Sequence, residues 1–374
     1  MLNRRFLRIK AMQGVFAFRK KEESNFNLAI ERIDGDFAPD LNSMIPPDHQ
    51  ALARNKKDAK DLLKRYFNQK HLPSLPEFDE EVIDSAQSAI NYYKDERLKD
   101  IKKIKQQLLE DTDNILNHYY NALLFLTELY NLDVNHNKTA FNTFETLQTI
   151  ESDDTFQSEI VKRKLKWEKE NSIARKTYKD DISKDERFIE FLKKPKKTIE
   201  DEKEILKTIV KKHIFKNPII NNQFDENDAQ WEENAEIALS LVLKSIKKIE
   251  LNQFVHYSLS ENWEEDKDFL LVLFTETAQQ NEELKEKIAA SLSNWKLERV
   301  ALTDQIILEM ALIEMIHFPY IPTKVTINEF IELSKKYSTP KSKQFINGVL
   351  DVLAAQLVED GTIKKSGRGL IDNR

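Results

Sequence analysis

The chain contains no cysteine and only six glycines in 374 residues. The first absence excludes disulfides and thiolate metal sites, and a reducing compartment is the natural setting. No glycine falls between Gly35 and Gly348. Sheets with many tight turns need more of them, so an all-α protein is expected. Apolar runs of membrane-spanning length are also missing. The longest candidate, "IILEMALIEMIHF", is interrupted by Glu309 and Glu314. The first residues, "MLNRRFLRIKAMQGVFAFRKK", lack the unbroken apolar core of a signal peptide. These features predict a soluble, cytoplasmic protein without membrane contact.

Catalytic signatures are equally scarce. There is no P-loop, no GxGxxG, no GxSxG and no HExxH. The seven histidines are scattered, no two of them three or four residues apart, so a helical metal site has no natural ligands. Acidic residues abound, but no pair stands out for acid–base work. The expectation is a non-enzyme with no catalytic residues, no metal and no cofactor.

What the chain does have is charge: 33% charged residues beside 40% hydrophobic ones, with a net charge of -6. The distribution is uneven. Arg4, Arg5, Arg8, Lys10, Arg19, Lys20 and Lys21 crowd the first 21 residues without a single acid. Phosphate binding depends on such local clusters rather than on the total. A solvated helix face is the plainer reading of this stretch alone. Ile9, Met12 and Phe16 form an apolar stripe that predicts one helix over residues 1–20. Arg4 and Arg8 share a different side of it.

Residues 34–48, "DGDFAPDLNSMIPPD", read as a loop, and "KHLPSLPEFD" at 70–79 is a second break. Long charged helical patterns follow. The middle of the chain carries a repeat in which Trp167, Trp231 and Trp295 recur at equal intervals. Apolar positions align with them, as Phe156/Ile220/Leu284 and Ile160/Phe224/Ile288. Each tryptophan is expected to anchor one helix pair to the next.

The stretch from Lys324 to Leu353 predicts two helices. Thr326 and Glu329 form a T-x-x-E capping box, which starts a helix near Ile327. Ile327, Phe330, Ile331 and Leu333 give it an apolar face. Thr339 and Pro340 then suit the N-cap and first position of a second helix. Its core stripe is Ile346, Val349, Leu350, Leu353 and Leu357, and Phe345 lies beside that stripe. Lys341, Lys343 and the free N–H groups of the helix start make an anion site. Two readings of Phe345 stand: its ring stacks on an unpaired base, or it closes the helix–helix joint while Gly348 permits close packing.

The two ends together resemble the NusB family of bacterial transcription antitermination factors. At the start, R-R-x-x-R-x-x-A-x-Q-x-x-F is met by Arg4, Arg5, Arg8, Ala11, Gln13 and Phe16. At the end, Ile321-Pro322, Lys324-Val325, Ile327-Asn328-Glu329, Ile331-Glu332-Leu333, Lys335, Ser342, Phe345 and Asn347-Gly348-Val349-Leu350-Asp351 match the family's longest motif. Upstream, "DQIILEMALIEM" is similar to the family's D-x-x-I-L helix. The matched parts are residues 1–19 and about 266–357. They imply NusB-like helical bundles interrupted by a large inserted helical region. The division expected is a basic helix at 1–20, an insert with helical repeats at 21–260, a C-terminal bundle at 261–360 and a disordered tail at 361–374.

The resemblance implies no enzymatic activity. It implies binding of boxA-like single-stranded RNA in ribosomal RNA transcripts, together with NusE, a small-subunit ribosomal protein, and the RNA polymerase antitermination complex. The RNA-binding residues it implies are Arg4, Arg5, Arg8, Lys341, Lys343 and Phe345, which shifts the reading of Phe345 towards RNA. Asp304 matches an acid that contributes to the NusE surface in relatives. A NusB-like module also occurs in ribosomal RNA cytosine methyltransferases, but their catalysis needs a cysteine that this sequence lacks. The competing reading is a non-catalytic helical scaffold for protein partners.

Overall fold

Helix dominates because so little interrupts it. The structure, a computed structural model, describes residues 2–40, 46–69, 78–134, 137–167, 172–292 and 297–373. Within them the chain forms α1 Arg4–Asp36, α2 His49–Gln69, α3 Glu80–Tyr130, α4 Glu145–Glu151, α5 Asp154–Arg163, α6 Ser172–Asp180, α7 Glu186–Lys193 and α8 Ile199–Ile209. It continues with α9 Pro218–Asn227, α10 Trp231–Lys248, α11 Trp263–Gln279, α12 Asn281–Ser291, α13 Leu302–His317, α14 Thr323–Tyr337 and α15 Ser342–Glu359. One antiparallel pair, β1 Asp133–Val134 and β2 Asn137–Lys138, is the only sheet among the described residues. No helix among them is long and apolar enough to cross a membrane.

The chain folds as two units. The terminal unit holds Arg5–Leu108 and Asp268–Arg374, and the middle unit holds Met1–Arg4 and Leu109–Lys267. This differs from a break at residue 20. Nothing in residues 20–33 stops a helix, so α1 runs on to Asp36. Its second half then packs Ala29 and Ile33 into a cluster with Leu62 and Leu63 of α2 and Val82, Ala86 and Ile90 of α3. An edge-to-face chain of Phe26, Phe67 and Tyr93 seals that cluster, with centroids 5.1 and 4.6 Å apart.

The first half of α1 also departs from a one-sided stripe. Phe6, Leu7, Ile9, Met12, Val15 and Phe18 are buried while Phe16 is exposed. The helix is surrounded rather than laid on a surface. At Gly14 a Cβ would stand 3.0 Å from Leu108 and 3.2 Å from Phe274, so α1 passes close to both side chains.

Around α13 lies the terminal unit's second core. Ile306, Ile307, Leu308, Met310, Ala311, Leu312, Ile313 and Met315 are all fully buried, and α12, α14 and α15 pack on it. The α15 stripe of Ile346, Val349, Leu350, Leu353 and Leu357 faces inward as the spacing predicts. Two helix starts differ from expectation. Helix α14 begins at Thr323 with Pro322 as an extended N-cap. The capping box does not form, because Thr326 donates its hydroxyl to buried Glu314 (2.8 Å) and Glu329 takes Arg5. Helix α15 begins at Ser342, and Thr339–Ser342 is a turn closed by Ser342 N–H to Thr339 C=O, 3.0 Å.

The segment after Asp360, expected to be disordered, is docked. Ile363 is buried. Ser366 N–H and the Lys365 ammonium donate to the carbonyls of Pro319 and Phe318, each at 3.1 Å. Gly369 sits where any Cβ would run into the Pro319 carbonyl.

In the middle unit, α5 and α9 precede Trp167 and Trp231, and bury Phe156 and Ile220. The third copy, α12 with buried Leu284, lies in the terminal unit; Trp295 falls outside the described residues. Trp167 donates to the Asn121 carbonyl (3.0 Å) and Trp231 to the Asn221 side chain (3.1 Å).

Two buried aspartates brace this unit. Asp185 caps α7 through the N–H groups of Arg187 (3.0 Å) and Phe188 (3.4 Å), and accepts from Lys212 (2.6 Å) and His213 (3.0 Å). Asp228 accepts from His118 (2.8 Å), Asn234 (2.7 Å) and Gln230 N–H (2.9 Å). Burial raises each carboxyl, but the donated hydrogen bonds outweigh it and hold both at about 2, against an ordinary 3.8. A folded-state value below the unfolded one stabilises above pH 3.8, and that stability is lost as pH falls towards 2. Each contributes on the order of 1–2 kcal/mol. Urea unfolding followed by circular dichroism should show the loss between about pH 4 and pH 2. Asp228→Asn should remove about half of it, Asp185 keeping the rest; an unchanged profile would remove Asp228 from the account.

Candidate nucleic-acid interface

At the start of α15 three hydroxyls and one acid fix the backbone. Ser342 donates to Asp304 at 2.6 Å, and Ser338 and Thr339 hydroxyls reach Ser342 at 3.0 and 2.8 Å. Asp304 is buried in the first turn of α13. Its carboxylate therefore faces Ser342 rather than an outside partner, and it ties the start of α15 to the start of α13.

Outward from this anchor stand Lys341 and Lys343. Both are exposed, and neither makes a side-chain hydrogen bond or ion pair among the described residues. Phe345 is half-buried at the edge of the core stripe. One turn further on, Gly348 is exposed, and a Cβ there would meet nothing within 4 Å. Close packing therefore does not require glycine at that position. The α15 start presents two unpaired cations, part of an aromatic ring and open ground behind it.

The arginines of the amino-terminal motif sit differently. Arg8 is buried, with side-chain exposure of 3%, and forks onto Glu314 of α13 at 2.6 and 2.7 Å. Arg5 is half-exposed and forks onto Glu329 at 2.9 and 2.8 Å. That hydrogen bond, strengthened by the charges of Arg8 and Arg5, holds the Glu329 carboxyl below its usual range against a smaller upward push from burial. Arg4, in the other unit, pairs with Glu265. The rest of the basic cluster is also compensated. Arg19 is buried on Glu309 at 2.8 Å, Lys20 pairs with Glu23 at 3.0 Å, and Lys21 with Asp100 at 2.9 Å. Lys10 is wholly buried, its ammonium 4.9 Å from the Phe6 ring centroid.

Arg8, which the family resemblance implies in the RNA-binding set, does not share an exposed surface with Lys341 and Lys343. Asp304 and Glu314 mark the α15 start and the Arg8 contact on the same helix. Their ten-residue separation places them ~15 Å apart at 1.5 Å per residue. Arg8 thus faces a carboxylate in the interior instead of a phosphate outside. The acids that matter here, Glu309 and Glu314, had a signal in the sequence. A carboxylate inside an otherwise apolar helix is rarely buried without a paired cation. Burial pushes the Glu309 carboxyl above its usual range, with Arg19 pulling the other way. Among the described residues no group of three or more His, Cys, Asp or Glu is placed to hold a metal ion.

Comparison with known proteins bears on the same region. Residues 233–355 match the model of the NusB family, a span that includes Asp304, Lys341, Lys343 and Phe345 but not the amino-terminal arginines. The transcription antitermination protein NusB of Salinibacter ruber is 40% identical over 121 residues, 32% of this chain and 75% of the relative. That of Chloroherpeton thalassium is 40% identical over 106 residues, covering 28% of this chain and 50% of the relative. That of Clostridium kluyveri is 36% identical over 119 residues, 32% and 74%. No solved structure matches. The all-α fold, the α13–α15 bundle and these relatives together place the chain in the NusB family of transcription antitermination proteins.

Proposed function

We propose that this chain is a non-catalytic antitermination factor that binds boxA-like single-stranded RNA in ribosomal RNA transcripts. It does so together with NusE and the RNA polymerase antitermination complex. The observation that carries the reading is the α15 start, where Lys341 and Lys343, without ion pairs among the described residues, precede the half-buried Phe345 by two to four positions, with the open ground at Gly348 one turn on. Lysines and helix N–H groups take the phosphates. The ring takes one face of an unpaired base. Arg4 and Arg5 add phosphate contacts by exchanging a carboxylate for a phosphate oxygen. Arg8, which the resemblance implies in that set, acts instead by seating α1 on α13. Asp304 acts by fixing the α15 start rather than by touching NusE. NusE raises the total affinity because two modest binders share one strand.

Anisotropy titrations of a labelled boxA oligonucleotide test this directly. Phe345→Ala is expected to weaken binding about tenfold, for a stacking contact of ~1–3 kcal/mol. Lys341→Gln with Lys343→Gln is expected to reduce the salt slope by about 1.4, at ~0.7 per single-strand phosphate contact. A wild-type protein indifferent to boxA over a scrambled sequence would refute the function. A Phe345→Ala variant that unfolds easily but binds RNA normally would return the ring to a packing role.

A further inference from the structure

One concave surface of the middle unit has no part in the site above. It is a groove of about 730 Å³ between the first turn of α7, the end of α8 and the turn that follows α8. Six cations line it: Lys184, Arg187, Lys207, Lys211, Lys212 and Lys216. The rest of its lining is three carboxylates and a threonine, with no apolar side chain.

Two of the cations are held within the protein. Lys207 pairs with Glu204 and Lys212 with Asp185, both at 2.6 Å. Asp185 is itself buried and takes His213, so it braces the wall and leaves little charge in the groove. Lys184, Arg187, Lys211 and Lys216 are exposed, and none makes a side-chain hydrogen bond or ion pair among the described residues. Glu204 has its carboxyl held below the usual range, first by the Lys207 hydrogen bond and charge and also by the charges of two of these four, Lys211 and Arg187.

The backbone beneath the lysines is unusual as well. Residues Val210–Ile214 form a π-turn at the end of α8, with Phe215 N–H bonded to Val210 C=O at 3.0 Å. Such insertions often accompany functional surfaces. In a chain of net charge -6, six cations meet only three carboxylates in this concavity, and four of the six form no ion pair among the described residues. A polyanion supplies what they lack. Protein interfaces use apolar and aromatic anchors and are depleted in lysine; this groove has the opposite composition. A phosphodiester backbone needs only point charges at intervals.

We propose that this groove is a second RNA contact, binding the phosphate backbone of single-stranded RNA without regard to sequence. The proposal rests on the RNA-binding reading above for its choice of RNA. It gives the middle unit, outside most of the family match, a role in holding transcript beyond the stretch bound at α15.

The test uses the full chain and a labelled 30-nucleotide oligouridylate, which contains no boxA. The variant replaces Lys184, Arg187, Lys211 and Lys216 by glutamine. Its thermal midpoint should be little changed, since none of the four side chains is held in an ion pair or hydrogen bond among the described residues. Its affinity for oligouridylate should fall tenfold or more near 0.1 M salt, and its salt slope should be shallower by up to ~0.7 per lost contact. Lys211→Gln with Lys216→Gln should give part of that effect. Unaltered affinity and slope would overturn the proposal. So would displacement of the RNA by polyglutamate as readily as by unlabelled RNA, or groove-dependent binding to oligothymidylate but not to oligouridylate. If boxA preference is absent while the groove variant still loses oligouridylate, the boxA reading fails and the groove stands.

Discussion

Arg8→Ala is expected to destabilise the terminal unit by about 3–5 kcal/mol, because it leaves Glu314 charged, buried and without its partner. Glu314 is fully buried, and both its oxygens accept from Arg8, with Thr326 adding a third donor. Removing the guanidinium removes two of the three donors and all of the compensating charge. The deficit comes from the acid left behind more than from the pair's own worth. Arg8→Met with Glu314→Gln should therefore be much milder than Arg8→Ala, since neutral groups of similar size replace both charges. Arg8→Lys should fall between, because an ammonium cannot fork onto a carboxylate. Urea midpoints by circular dichroism rank the variants. The same set separates packing from RNA contact. If Arg8→Ala kept its midpoint and lost RNA affinity with a shallower salt slope, Arg8 would belong at the nucleic acid after all.

That contrast shows where sequence reasoning reached and where it stopped. Helix content, the inward stripe of α15 and the helices that bury Phe156, Ile220 and Leu284 follow from one-dimensional spacing, and spacing is what a helix converts directly into faces. Partners across helices are not encoded that way. Arg8 and Glu314 are 306 positions apart, and nothing local distinguishes a buried arginine from a solvated one. Phe16 failed for a related reason. The stripe through Ile9 and Met12 assumes one buried face, but α1 is enclosed on most sides, so the exposed side is a narrow remainder. At Thr326 a local signal was present and lost to a stronger one. Capping contributes about 1 kcal/mol, whereas a buried carboxylate short of a donor costs more. The exposure of Lys341 and Lys343 at the α15 start follows from a local pattern, because polar side chains at a helix start off its core stripe face water. The unpaired state of those lysines does not, since it depends on where every acid in the fold ends up.

Trp231→Ala should be the most damaging aromatic truncation in the middle unit, at about 3–5 kcal/mol. Its ring is buried among Phe224, His118 and Phe215, with centroids at 4.5, 4.7 and 5.7 Å. Those three neighbours come from α9, α3 and the turn after α8, so one side chain touches three segments at once. Trp231→Phe should recover most of the apolar contact but leave the Asn221 side-chain amide oxygen without its donor. A residual loss of about 1 kcal/mol is expected from that hydrogen bond. Trp167 is half-buried and shares Phe224 with Trp231, at 5.8 Å. Its alanine variant should therefore lose less, and the double variant less than the sum, because the second truncation removes contacts with a ring already loosened. Urea unfolding of the single and double variants measures both quantities. Strict additivity would mean that the two tryptophans anchor separate packing sites, and the shared Phe224 would then carry no energy between them.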